Sequence, residues 1–243
     1  MIYVIRSESM KQSTVAKNVV KGFLAFFIAV FIVTFAIAVP ILFRPYYFWN
    51  VKLLNIEEES GYTYDEIKVA FSELMDYMTD ITGKKEFSTG SMAFSESGKA
   101  HFEDCKKLFM LDFIALGVSA MYIAVVTVLV KTGKLNLRYK KRSPAFRGVV
   151  GLGAFVGVVG VWAAIDFDGF FETFHHIAFP GKTNWVFNPW EDEIINILPT
   201  EVWMSFGILI VAIVAVFVVV ILATEKGRRK KYGETYTAWL KDT

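Results

Sequence analysis

The chain has a single cysteine, Cys105, among 243 residues, so it forms no intramolecular disulfide and no cysteine-built metal site. Charged residues are scarce at 21%, against roughly a quarter in ordinary soluble domains. There is no H-E-x-x-H pair, which weakens a zinc-protease reading. Gly117-x-Ser119-x-Met121 fails the G-x-S-x-G nucleophile pattern and lies inside an apolar run. No Gly-rich phosphate loop follows a strand. Segments of about ten residues with alternating polarity, the mark of a membrane β-barrel, are missing as well. The chain also has no internal repeat and no low-complexity stretch.

What fills the sequence instead is continuous apolar chain. Hydrophobic residues make up 54% and the mean hydropathy is +0.43. The excess sits in four blocks, residues 22–43, 108–130, 148–165 and 202–223. About 20 apolar residues in a helix cross a bilayer core of about 30 Å, so each block is long enough to span. This predicts an all-α membrane protein with four transmembrane helices and excludes a purely soluble enzyme or a disordered chain. The first block runs past Ala36-Ile37-Ala38, which resembles a cleavage site. It is longer than a signal-peptide core and reads as a retained span.

The net charge of +2 conceals a strong segregation. Residues 1–21, the linker 131–147 and the tail 224–243 together carry 17 basic and 4 acidic residues. Segments 44–107 and 166–201 carry 9 basic and 19 acidic residues. Lys/Arg-rich flanks stay in the cytoplasm, which predicts both termini and the linker inside and the two acidic segments outside. The basic tracts are topology signals by this reading, and no nucleic-acid partner is expected.

In the first outer segment, Thr63-x-x-Glu66 reads as a capping box. Ile67, Ala70, Phe71, Leu74, Met75, Met78 and Ile81 follow at helical spacing, with Gly83 placed to end the helix. Such a helix lies on the membrane or folds over the bundle as an extracellular cap. Lys84–Ser97 reads as a loop, and from about Gly98 a helix enters the second span. In the third span, Gly153-x-x-x-Gly157 would permit close helix approach.

The three histidines, His101, His175 and His176, all fall in the outer segments. At about 100° per helical residue, Asp104, Cys105 and Asp112 share a face with His101, and Asp112 lies about 16 Å deeper. An acid within a span is a functional-site candidate by default. Asp104 is placed to orient the His101 ring, and Glu172 to orient His175 or His176. Two histidines supply general base and general acid without a nucleophile or a metal. No cofactor and no metal are called for. Five of the six tryptophans, Trp49, Trp162, Trp185, Trp190 and Trp203, lie in or beside the outer segments. A metal-dependent hydrolase and a non-enzymatic membrane sensor are the competing readings.

The segment Phe174-His175-His176 through Trp185-Val186-Phe187-Asn188-Pro189, closed by Ile197-Leu198-Pro199, resembles the bacterial lipoprotein intramolecular transacylase family, Lit. Phe94-Ser95 and His101-Phe102-Glu103-Asp104-Cys105-Lys106 match the same family's first motif. Cys105 stands where the family usually has Val, and Ala178 replaces the first of an aromatic pair. The resemblance implies a cell-membrane enzyme whose site faces outward. Its substrate is a lipoprotein with a diacylglyceryl-modified N-terminal cysteine, held in membrane lipid. The sn-2 acyl chain would move to the cysteine α-amine, giving the lyso-form. The alignment makes His101 and His175 the catalytic pair, with Asp104, Asp112, Glu172 and His176 in supporting places. Tyr46, Trp49, Phe174, Phe179 and Trp185 are the expected aromatic cleft. Which histidine is base and which is acid stays open.

Overall fold

Each apolar block lies within one long helix, except that Phe43 follows the end of the first. The computed structural model describes residues 2–137 and 142–241, with side chains at 14–137 and 142–230. The basic residues at 138–141, and those before 14 or after 230, therefore lie outside the described side chains. The described residues form α1 (Ile2–Leu42), α2 (Pro45–Leu53), α3 (Ile56–Ser60), α4 (Tyr64–Thr79) and α5 (Glu96–Lys131). They continue as α6 (Pro144–Ile165), α7 (Phe167–Ala178), a 3-10 turn at Glu193–Ile197 and α8 (Thr200–Lys241). No strand occurs among them. Among the described residues four helical stretches are long and apolar enough to cross a membrane: Thr14–Leu42, Glu96–Lys131, Pro144–Ile165 and Thr200–Lys230.

The chain divides into two compact units. One comprises Met1–Val33, Ala115–Val156 and Ile213–Thr243. Its close helix approach lies at Gly148, where a Cβ would come within 2.4 Å of the Ala25 carbonyl oxygen of α1. The expected Gly153/Gly157 pair does not make it: a Cβ on Gly153 would meet Val218 at an ordinary 3.6 Å. The contact falls one turn earlier because that is where α6 meets backbone. Phe27 packs on Tyr122 with ring centres 4.5 Å apart. The carboxylate of Glu225, buried despite its charge, accepts from Arg228 at 2.7 Å and from the Ser143 backbone N–H.

The other unit comprises Thr34–Ile114 and Gly157–Ala212. Its core is built from the inward face of α4, Ile67, Ala70, Phe71, Leu74 and Met78. Tyr47 and Val51 of α2, together with Ile194, Ile197 and Val202, complete it. Tyr47 is stacked on Phe71 at 3.6 Å between ring centres. Its hydroxyl donates to the Ile197 carbonyl at 2.8 Å, which removes the penalty of burying a phenol.

The capping box of α4 forms as expected. Thr63 accepts from the Glu66 N–H and Glu66 accepts from the Thr63 N–H at 2.8 Å. The helix stops at Thr79, four residues short of Gly83. The Asp80 carboxylate takes the N–H groups of Thr82 and Lys85, each at 2.8 Å, and drives a turn. Ile81 is consequently exposed and not part of the core.

Candidate active site

The N-terminus of α5 is held from a distant segment. Ser95 Oγ accepts from the Gly98 N–H at 2.9 Å, the geometry of an N-cap. Asp192, buried, accepts from the Ser95 N–H at 2.8 Å and from its hydroxyl at 3.1 Å. Glu193 and Ala93 exchange two further bonds. Position 98 must be glycine here, since a Cβ would lie 2.1 Å from Asp192 Oδ1. The start of the helix carrying His101 is thereby locked to the chain that follows α7.

His175 stands in the last turn of α7, a helix capped by Asp166, which accepts from the Gly169 N–H at 2.9 Å. His101 and His175 come together with ring centres 5.7 Å apart. They are only 4% and 6% exposed. Phe179 packs edge-on to His101 at 4.9 Å, and Phe187 does so at 5.4 Å. Phe171 and Trp185 cover His175 at 4.2 and 4.9 Å, and Phe174 meets it edge-on at 5.4 Å.

A carbonyl oxygen can only accept, so the 2.7 Å contact between His175 Nδ1 and the Phe171 carbonyl requires the proton on Nδ1. The Nε2 lone pair of a neutral His175 is then free. Burial pushes the His175 pKa below the ordinary histidine value. The Phe171 bond opposes that shift, and the His176 charge adds to it. His101 Nε2 lies 3.3 Å from Cys105 Sγ, and its buried Nδ1 has no partner.

Several supporting residues stand elsewhere than expected. Asp104 does not bond His101. One oxygen accepts from Lys107 at 3.0 Å, and the other from Lys182 and from Asn184, the latter at 3.3 Å. The cations win because three donors converge on one carboxylate. Glu172 pairs with the exposed His176 at 3.6 Å, leaving His175 to the backbone carbonyl. Asp112 lies on the same helix as His101, and its Oδ2 is buried without a partner. Of the expected cleft, Phe174, Phe179 and Trp185 touch the histidines. Tyr46 packs on Trp49 and Phe206, each at 5.9 Å. A chain of ring contacts through Phe206, Trp203 and Phe171 links it to His175.

Phe171, Lys182, Asn184 and Phe187 were not among the expected site residues, although Phe187 stands in the Trp185–Pro189 motif. For Lys182 a signal existed, since it is the lone basic residue of segment 166–201. Among the described residues, no three His, Cys, Asp or Glu side chains are grouped to hold a metal.

Four long apolar helices with a helical cap define an all-helical, multi-pass membrane protein. Residues 22–203 match the family described as lipoprotein intramolecular transacylase Lit. The chain belongs to this family, and it is an acyltransferase. The fold is that of the in meso structure of Lit from Bacillus cereus. The two are 21% identical with a TM-score of 0.80, over 90% of this chain and 98% of that one. Two further Bacillus cereus structures carry one histidine replaced by arginine or by alanine. Each is 21% identical with a TM-score of 0.76; coverage is 94% and 99% for the first, 93% and 99% for the second. Among curated proteins no sequence match is found.

Proposed function

We propose that the protein moves the sn-2 acyl chain of a diacylglyceryl-cysteine to the α-amine of the same cysteine, with His101 and His175 as its acid–base pair. The product is a lyso-form lipoprotein. One observation carries this reading: two buried imidazoles, from α5 and α7, lie 5.7 Å apart inside a wall of aromatic rings. At that separation one substrate group lying beside the pair can meet both rings.

The family name supplies a lipoprotein substrate and an intramolecular reaction. Nucleophile and ester share one molecule, so catalysis consists mainly of orientation and proton transfer, and orientation alone supplies several kcal/mol. His175 Nε2, with its partner nitrogen committed to the Phe171 carbonyl, takes a proton from the α-amine. The amine nitrogen bonds to the ester carbonyl carbon, the bond from that carbon to the sn-2 oxygen breaks, and His101 gives that oxygen a proton that His175 then replaces, so both rings end as they began. Atoms balance without water or an oxidant.

A histidine-centred site also fits the choice of a histidine for substitution in two Bacillus cereus relatives. The charge segregation supports cytoplasmic termini and a site at the outer face, where the acyl chains stay in lipid while the head reacts.

Mass spectrometry of lipoprotein N-termini tests the assignment. Cells expressing the protein are expected to contain lyso-form lipopeptides, and His101→Ala or His175→Ala cells the diacyl precursor. Unchanged lyso-form in either variant removes that histidine from the mechanism.

A further inference from the structure

Beside the imidazole pair two polar atoms are buried with nothing bonded to them, Asn184 Oδ1 and His101 Nδ1. The Asn184 amide has one orientation. Its Nδ2 donates to Asp104 Oδ2, and a carboxylate shared with two lysines only accepts. The amide oxygen therefore points away from Asp104 as an unsatisfied acceptor. Burying such an acceptor is costly unless a donor arrives to meet it.

Asn184 is also bracketed by the site. Its anchor, Asp104, lies one turn beyond His101 on α5, the ring of Trp185 covers His175, and Phe187 covers His101. What reaches this oxygen must be a hydrogen-bond donor. An ester carbonyl, an ester's glyceryl oxygen or the thioether sulfur would set a second acceptor against it. Of the groups around the reacting centre of a diacylglyceryl-cysteine, the α-amine carries donors nearest the bond to be formed.

Resting on the transacylase reading above, we propose that Asn184 Oδ1 is the acceptor that binds the substrate α-amine. A neutral primary amine has two N–H groups and one lone pair. One N–H donates to Asn184 Oδ1, the other to His175 Nε2, and the lone pair is left for the ester carbonyl. Asp104, through its bond to Nδ2, is a positioning residue that fixes which end of the amide faces the amine.

Two ligands that cannot transfer an acyl chain separate amine binding from turnover: an ether-linked dialkylglyceryl-cysteine dipeptide amide and its deamino counterpart. Binding of each is measured to the full-length protein in detergent micelles. The wild type is expected to prefer the amine ligand by about tenfold, equivalent to about 1.4 kcal/mol. Asn184→Ala is expected to reduce that preference below about threefold, the scale of losing one such bond, while affinity for the deamino ligand changes by less than about twofold. That retained affinity also shows that the variant is folded. The proposal is overturned if the wild type shows no preference, if Asn184→Ala keeps it, or if the variant weakens both ligands alike. Absence of lyso-form from an ester-linked substrate given to the wild type would instead overturn the transacylase reading.

Discussion

His175 donates its Nδ1 proton to the carbonyl of Phe171, one turn back on its own helix, at 2.7 Å. A backbone carbonyl fixes the tautomer here, a task a carboxylate can also perform. It leaves Nε2 as a lone pair on a ring whose centre lies 5.7 Å from that of His101. Burial favours the neutral ring, and the direction of the His175 shift follows from that.

The acid limb of the pH–rate profile should report it. A base must be neutral to act, and the folded pKa of His175 lies below the ordinary 6.5. Activity is therefore expected to persist below pH 6.5 before falling. Trp185→Ala opens the ring to water and should move the limb upward, toward 6.5. The linked effect on folding runs in the same direction. Stability from the neutral ring is full above the unfolded value and is lost as pH falls from that value through the folded one. An acid limb at or above 6.5 in the wild type would remove His175 as the base.

Asp104 is expected to act through Lys182. The carboxylate joins α5 to the turn after α7, so losing either partner frees the segment that follows His175. Asp104→Asn and Lys182→Met should each lower kcat by about tenfold or more, the scale of a misplaced catalytic group. Together they should cost little more than either alone, because they break one link. A double-mutant cycle on lyso-form production measures this, and additive losses would refute the link.

Much of this architecture was legible in the chain. Spans, cap helix and capping box follow from run length, 3.6-residue spacing and Thr63-x-x-Glu66, all of which are local. Asp104 misled because its helical register beside His101 is local, whereas two of the three donors that claim it, Lys182 and Asn184, arrive from a distant segment. Periodicity carries no information about such pairings. The end of α4 misled for a related reason: Gly83 is a good stop signal, but the Asp80 side chain reaches two N–H groups first.

The lock at the start of α5 gives a stability prediction. Gly98→Ala drives a methyl into the Asp192 carboxylate, which cannot swing aside while it holds Ser95. Overpacking of this kind costs about 1–3 kcal/mol, and Asp192→Ala should cost about 1–2 kcal/mol through the lost cap support. Thermal unfolding in detergent should show both variants less stable than the wild type. In Gly98→Ala, removing the Asp192 side chain should recover part of the loss.

The packing of α6 separates two glycine readings. Gly153-x-x-x-Gly157 has the familiar small-residue spacing, but a Cβ at Gly157 meets nothing within 4 Å. Gly148 has no such motif, yet its Cβ would press on the Ala25 carbonyl oxygen at 2.4 Å. That atom is backbone and cannot rotate away, so α1 and α6 must part. Gly148→Ala is expected to destabilise by about 1–3 kcal/mol. Gly157→Ala should be neutral or slightly stabilising, since alanine also lowers the conformational cost of a helical glycine. Unfolding of the two variants side by side in one detergent decides it, and equal losses would place the helix contact at the motif after all.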